Sequence, residues 1–134
     1  MATLIAHSSE PATQHFVDRL ATLLRNQRGV TLAVEDIARA GQYIDNVDAV
    51  IVVAEANNPK YHHAARQFLT AQHAELADKS LFIVGLGVTA GLSATQQAAM
   101  EVFEPRDTAY FRTDALDESA LHTWVGEIHT KGAV

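Results

Sequence analysis

Two uninterrupted apolar runs, Ala49-Val50-Ile51-Val52-Val53-Ala54 and Leu81-Phe82-Ile83-Val84, constrain the fold of this chain more than any other feature. Neither shows the polar alternation of a strand with one wet face. Runs of this kind belong to parallel strands covered on both sides, and right-handed crossover helices are what cover them. Thr3-Leu4-Ile5-Ala6 is a third run, residues 30–34 a weaker one, and residues 108–112 a more polar one suited to a sheet edge. Helical periodicity fills the intervals. Phe16, Val17, Leu20, Leu23 and Leu24 form one apolar stripe, with Gly29 as a stop. Tyr61, Ala64, Ala65, Phe68, Leu69 and Leu76 form another, and Leu121, Trp124, Val125 and Ile128 a last one behind Asp117 and Glu118. Ser93-Ala94-Thr95-Gln96 reads as a capping box for a helix carrying Ala98, Ala99, Val102 and Phe103 and ending before Pro105. Residues 37–44 read as a short helix or a loop. The predicted class is α/β: a three-layer, doubly wound, five-stranded parallel sheet.

The chain of 134 residues fits one domain, 1–134, with no linker, internal repeat or low-complexity tract. Its net charge is −6, and its ten Lys and Arg are scattered, so the basic stripe that nucleic-acid binding needs is missing. The absence of cysteine removes disulfides, thiolate nucleophiles and cysteine–metal sites. A strand begins within three residues of the N-terminus, which leaves no room for a signal peptide, and no apolar run approaches the roughly 20 residues of a membrane span. The expectation is a soluble cytoplasmic protein. A homodimer is left open.

In doubly wound sheets ligands sit beyond the carboxyl ends of the strands, where strand order reverses. The loops in that position are residues 7–13, 55–61 and 85–92. In the first, Ala6-His7-Ser8-Ser9-Glu10-Pro11-Ala12-Thr13 joins a strand to a helix through small hydroxyl residues. Such a junction gathers hydroxyls and free backbone N–H groups at the positive end of a helix, a place that takes a phosphate monoester. A phosphate loop without the Walker lysine in a short α/β chain points to flavin mononucleotide (FMN).

Residues 8–13, the run 48–53, Lys60-Tyr61-His62 and Val84-Gly85-Leu86-Gly87-Val88-Thr89-Ala90 together resemble the flavodoxin family along most of the chain. Within it they are similar to the branch that includes menaquinone-dependent protoporphyrinogen oxidase, with a looser likeness to NADPH-dependent flavin reductases through Glu55-Ala56-Asn57-Asn58. Ser8 and Thr13 match the first and last hydroxyls of the family's phosphate loop. The resemblance implies strand order 2-1-3-4-5 and an FMN-binding redox protein, an FMN-dependent oxidoreductase if it is an enzyme. Its phosphate would be held by Ser8, Ser9, Ala12 and Thr13, with Glu10 in the same cofactor-binding loop. Glu55, Ala56, Asn57, Asn58 and Tyr61 would flank one side of the ring, with Gly85, Leu86, Gly87, Val88 and Thr89 on the other. A quinone, a porphyrinogen or a redox protein would exchange the electrons.

The chain departs from the family pattern in places. Pro11 stands where a glycine is usual and contributes no N–H. Glu10 replaces a hydroxyl residue, and two unit charges ~4 Å apart at an effective dielectric of ~20 repel by about 4 kcal/mol. Glu10 is therefore expected to point outward, or else the Glu10-Pro11 pair is only a helix start. These departures keep a second reading open, a flavin-free member of the fold serving protein interaction or structure. Tyr61 is equally suited to be a core residue. Among the seven histidines, His62 and His63 diverge on a helix and His122 and His129 lack a third ligand, so no metal site is expected. His62 is placed to act as a proton donor near the flavin edge. A phosphoacceptor receiver is excluded: it needs an acidic pair after the first strand and a lysine after the last.

Overall fold

The computed structural model describes residues 2–56 and 60–130. Five parallel strands, β1 (Ala2–His7), β2 (Thr31–Asp36), β3 (Ala49–Glu55), β4 (Ser80–Gly87) and β5 (Asp107–Arg112), lie in the order β2-β1-β3-β4-β5. Among the described residues six helices flank them: α1 (Pro11–Arg25), α2 (Ile37–Ala40), α3 (His63–Ala71), α4 (His73–Leu76), α5 (Ala94–Glu101) and α6 (Glu118–Thr130), with a 3-10 segment at Gly41–Asn46. This is the doubly wound, flavodoxin-like order that the resemblance implied.

The long apolar runs fall on the strands with two covered faces. Every residue of β3 from Ala49 to Ala54 is fully buried, and Leu4, Ile5 and Ala6 of β1 are too. Alternate residues feed opposite layers. Ile5, Ile51, Val53, Phe82 and Val84 face α1 and α6, where Phe16, Phe111 and Trp124 pack. The Phe16 and Phe111 rings lie 5.3 Å apart, and Trp124 meets Phe82 edge-on at 6.2 Å. Leu4, Ala6, Val50, Val52 and Ile83 face the other layer, formed by α2, the 3-10 segment and α3 to α5. Register is fixed by this alternation: Ile5 lies opposite Val34 on one side and Ile51 on the other, so a one-residue slip would exchange the layers.

The elements differ from expectation in detail. The stripe from Tyr61 to Leu76 is two helices, because the backbone opens at Gln72, with φ −99° and ψ 13°. Residues 37–46 form α2 and the 3-10 segment rather than a loop. β4 runs on to Gly87, so Gly85 and Leu86 are buried strand residues rather than loop. α5 stops at Glu101, and Val102, expected on that helix, follows it 69% exposed.

The capping box at the start of α5 is present. The Ser93 hydroxyl accepts from the Gln96 N–H, and the Gln96 carbonyl oxygen accepts from the Ser93 N–H at 2.8 Å. The same Gln96 amide reaches across to donate to the Ala56 carbonyl at 3.0 Å, tying the start of α5 to the loop after β3. Replacement Ser93→Ala is expected to lower stability by about 1 kcal/mol, read from the urea unfolding midpoint.

Candidate functional site

β1 and β3 are neighbours, whereas their following helices lie on opposite faces of the sheet, so a cleft opens beyond their carboxyl ends. The Ser8 N–H donates to the Val53 carbonyl at 3.1 Å, which carries the β1–β3 ladder one residue past the strand. Only Ser8, Ser9 and Glu10 separate β1 from α1, and Ala12 and Thr13 lie in the first helical turn. Pro11 occupies the first helical position, where a missing N–H costs no intrahelical bond. The Gln14 side chain donates to the Ser9 carbonyl at 2.9 Å and holds the turn in place.

Glu10 does not point outward. Its carboxylate folds back over the loop, where Oε1 accepts from the Thr13 hydroxyl at 3.5 Å and Oε2 lies 3.1 Å from His62 Nε2. Ser8 Oγ in turn donates to Thr13 Oγ1 at 3.4 Å. Thr13 is 0% exposed and Ser8 4%, so neither hydroxyl is open to solvent. The physical reason is that an unpaired carboxylate is costly, and the loop offers it hydroxyls, its own N–H and an imidazole. Burial raises the Glu10 pKa, but bonds from Ser8, from His62 and from its own backbone outweigh that and hold it below the usual carboxylate value.

His62 caps α3, its Nδ1 accepting from the Ala65 N–H at 3.4 Å. A nitrogen that accepts carries no proton, so the ring proton sits on Nε2 and is donated to Glu10. A hollow of about 390 Å³ opens beside this contact, bordered by Ser8, Ser9, Glu10, Asp36, His62 and Gln67.

The other two loops form the far side of the cleft. Glu55 ends β3 and Ala56 follows, its N–H donating to the Leu86 carbonyl at 2.8 Å. Asn57 and Asn58 lie outside the described residues. After β4, the Tyr110 hydroxyl of β5 accepts from the Thr89 N–H at 3.2 Å and donates to the Thr89 carbonyl at 2.9 Å. Gly87 is required under this clamp, since a Cβ there would lie 2.7 Å from the Tyr110 hydroxyl oxygen. Val88 stands 64% exposed at the tip.

The structure therefore brings together Ser8, Ser9, Glu10, Ala12 and Thr13 on one side and Glu55, Ala56, Gly87, Val88 and Thr89 on the other. It removes Tyr61, Gly85 and Leu86 from the surface. Tyr61 is 1% exposed and donates its hydroxyl to the Val84 carbonyl at 2.8 Å; burial pushes its phenol pKa far up. It is a core residue with no face for a ring. Sequence reasoning missed Tyr110 and the reach of Gln96, because each acts on a loop distant in the chain. Among the described residues no group of three or more His, Asp or Glu could hold a metal ion.

A second hollow, of about 640 Å³, lies elsewhere, between α3 and α5. Ala98, Ala99 and Phe103 line it together with Lys60, His63 and Arg66, and no carboxylate borders it.

A family model described as a flavodoxin domain matches residues 4–131. The chain belongs to the flavodoxin-domain family. Solved structures agree on the fold. A Fusobacterium nucleatum flavodoxin solved with bound flavin mononucleotide superposes with a TM-score of 0.74 at 13% identity, covering 97% of this chain and 98% of its own. Oxidised flavodoxin 1 from Bacillus cereus gives 0.71 at 14%, covering 96% and 97%. An NADH:FMN oxidoreductase in its apo form gives 0.75 at 12%, covering 97% and 89%. A search of curated proteins by sequence finds no significant match.

Two outcomes follow for this flavodoxin-domain chain. Tyr61→Phe is expected to cost about 1–2 kcal/mol in urea unfolding, the value of a buried hydrogen bond, while leaving ligand affinity unchanged. The lowered Glu10 pKa means that the folded state favours the carboxylate. Its stabilisation is whole above the unfolded-chain value near 4.5 and is lost as pH falls through the lower folded value. Urea midpoints of the parent and Glu10→Gln should therefore differ at about pH 7 and converge towards about pH 3.

Proposed function

We propose that the chain is an FMN-binding redox protein whose phosphate seat is the turn from Ser8 to Thr13. The observation that carries this is an anion already held there. The Glu10 carboxylate takes the Thr13 hydroxyl and the His62 N–H at the positive end of α1, so the donor set suits an anionic oxygen group. The first-turn N–H groups of Ala12 and Thr13 are the further donors a phosphate would use. Bound FMN would supply electron transfer in one- or two-electron steps.

The residues of the chain supply grip and placement. Ser8, Ser9 and Thr13 bind phosphate oxygens. The clamped Thr89, the backbone of Gly87 and the exposed Val88 offer a flat, partly apolar wall on one side of a ring. Glu55 and Ala56 offer the other. His62, donating from Nε2 to Glu10, is the imidazole that borders the phosphate seat. The electron partner is a redox protein or a small quinone-like molecule. The groove beside Lys60, with Arg66 and an apolar floor, favours a partner that is apolar and anionic. The working compartment in this reading is the cytoplasm.

The test is direct. Freshly purified protein is expected to be yellow with a flavin absorption band, and FMN fluorescence should quench on titration. Thr13→Val, which keeps the shape and removes the hydroxyl, should weaken FMN binding about two- to threefold, the low end of the net value of a hydrogen bond. Unchanged affinity would remove Thr13 from the seat. The second reading, a flavin-free module, draws on the same inward Glu10; a colourless protein that leaves FMN fluorescence untouched would favour it.

A further inference from the structure

We propose that Glu10 is a built-in competitor for the phosphate group, so that this chain gains little affinity from the phosphate of its flavin until Glu10 is displaced. The inference rests on the FMN reading above and goes beyond it by assigning a selectivity role to one side chain.

Three observations place the carboxylate in the position of a ligand rather than of a bystander. Its two oxygens engage donors from two elements, Thr13 in α1 and His62 at the start of α3, at 3.5 and 3.1 Å. The buried Thr13 hydroxyl already donates to it, and the buried Ser8 hydroxyl donates to Thr13, so an incoming phosphate finds both donors engaged while it stays. The Glu10 side chain nonetheless keeps 36% of its surface in solvent, against 14% for His62, which gives it a path outward without disturbing the loop backbone. Carboxylate and phosphate are both anionic oxygen acceptors, and the same donors serve either one. They cannot share the seat, because like charges at such separation repel strongly. Displacement also frees the His62 Nε2 proton, which then faces the seat as a donor.

The consequence is a weak distinction between FMN and riboflavin, which share the ring and differ in the phosphate. Fluorescence titrations of both flavins into the parent, Glu10→Gln and Glu10→Ser measure this. Glu10→Gln removes the charge and keeps the shape, whereas Glu10→Ser removes both and supplies a hydroxyl. The parent is expected to bind FMN within about threefold of riboflavin. At least one variant should bind FMN about tenfold tighter than the parent, with riboflavin affinity unchanged. Unchanged or weaker FMN binding in both variants, each folded by circular dichroism, would overturn the competitor role and leave the FMN reading standing. A parent that already strongly prefers FMN would overturn it as well. Should none of the three proteins quench either flavin, the FMN reading fails, and inorganic phosphate decides the inference. A phosphate-dependent rise in melting temperature in the variants but not the parent supports it, and equal responses overturn it.

Discussion

The position of β1 is the constraint on which the rest of the molecule depends. It lies between β2 and β3 in the sheet, and Leu4, Ile5 and Ala6 have no solvent access on either face. A strand paired on both edges and packed on both faces has no freedom of register. Its exit point is therefore fixed, and the Ser8 N–H bond to Val53 extends that rigidity into the turn. The following helix starts within four residues and is covered by its own buried stripe, Phe16, Val17, Leu20 and Leu24. The turn from Ser8 to Thr13 is thus a rigid seat whose donors are aimed by the core rather than by its own sequence.

What occupies that seat is a matter of local charge. A helix N-terminus, two hydroxyls and an imidazole favour a negative group, and the chain carries one at position 10. Pro11 contributes to the same outcome. It fixes the backbone at the first helical position, and Glu10 holds an extended conformation just before it, with ψ at 143°. From there its side chain reaches back to Thr13 and across to His62. An acidic residue at this helix start, a liability beside any second anion, is stable here because the loop satisfies it.

The opposite wall of the cleft is organised differently. Its loops are held by side chains from elements that follow them: Gln96 of α5 on Ala56, and Tyr110 of β5 on Thr89. Both bonds go to backbone groups, so they fix the course of the chain whatever side chains the loops carry. This also explains the glycine at position 87, where the Tyr110 ring leaves no room for a Cβ.

The sequence by itself determined the layers and the strands. Uninterrupted runs such as Ala49 to Ala54, bounded by turn residues, are what two-faced parallel strands require, and Ser8 and Thr13 resemble the first and last hydroxyls of the family's loop. It also determined the cap at Ser93, because that bond is made within four residues. Only the tertiary structure decided that Tyr61 belongs to the core, that Gly85 and Leu86 continue β4, and that Glu10 turns inward. Those outcomes depend on partners far along the chain: Val84 for Tyr61, the β5 ladder for Gly85 and Leu86, and His62, 52 positions away, for Glu10. Local propensity carries no term for a partner brought close by folding, and at this cleft such partners direct the side chains.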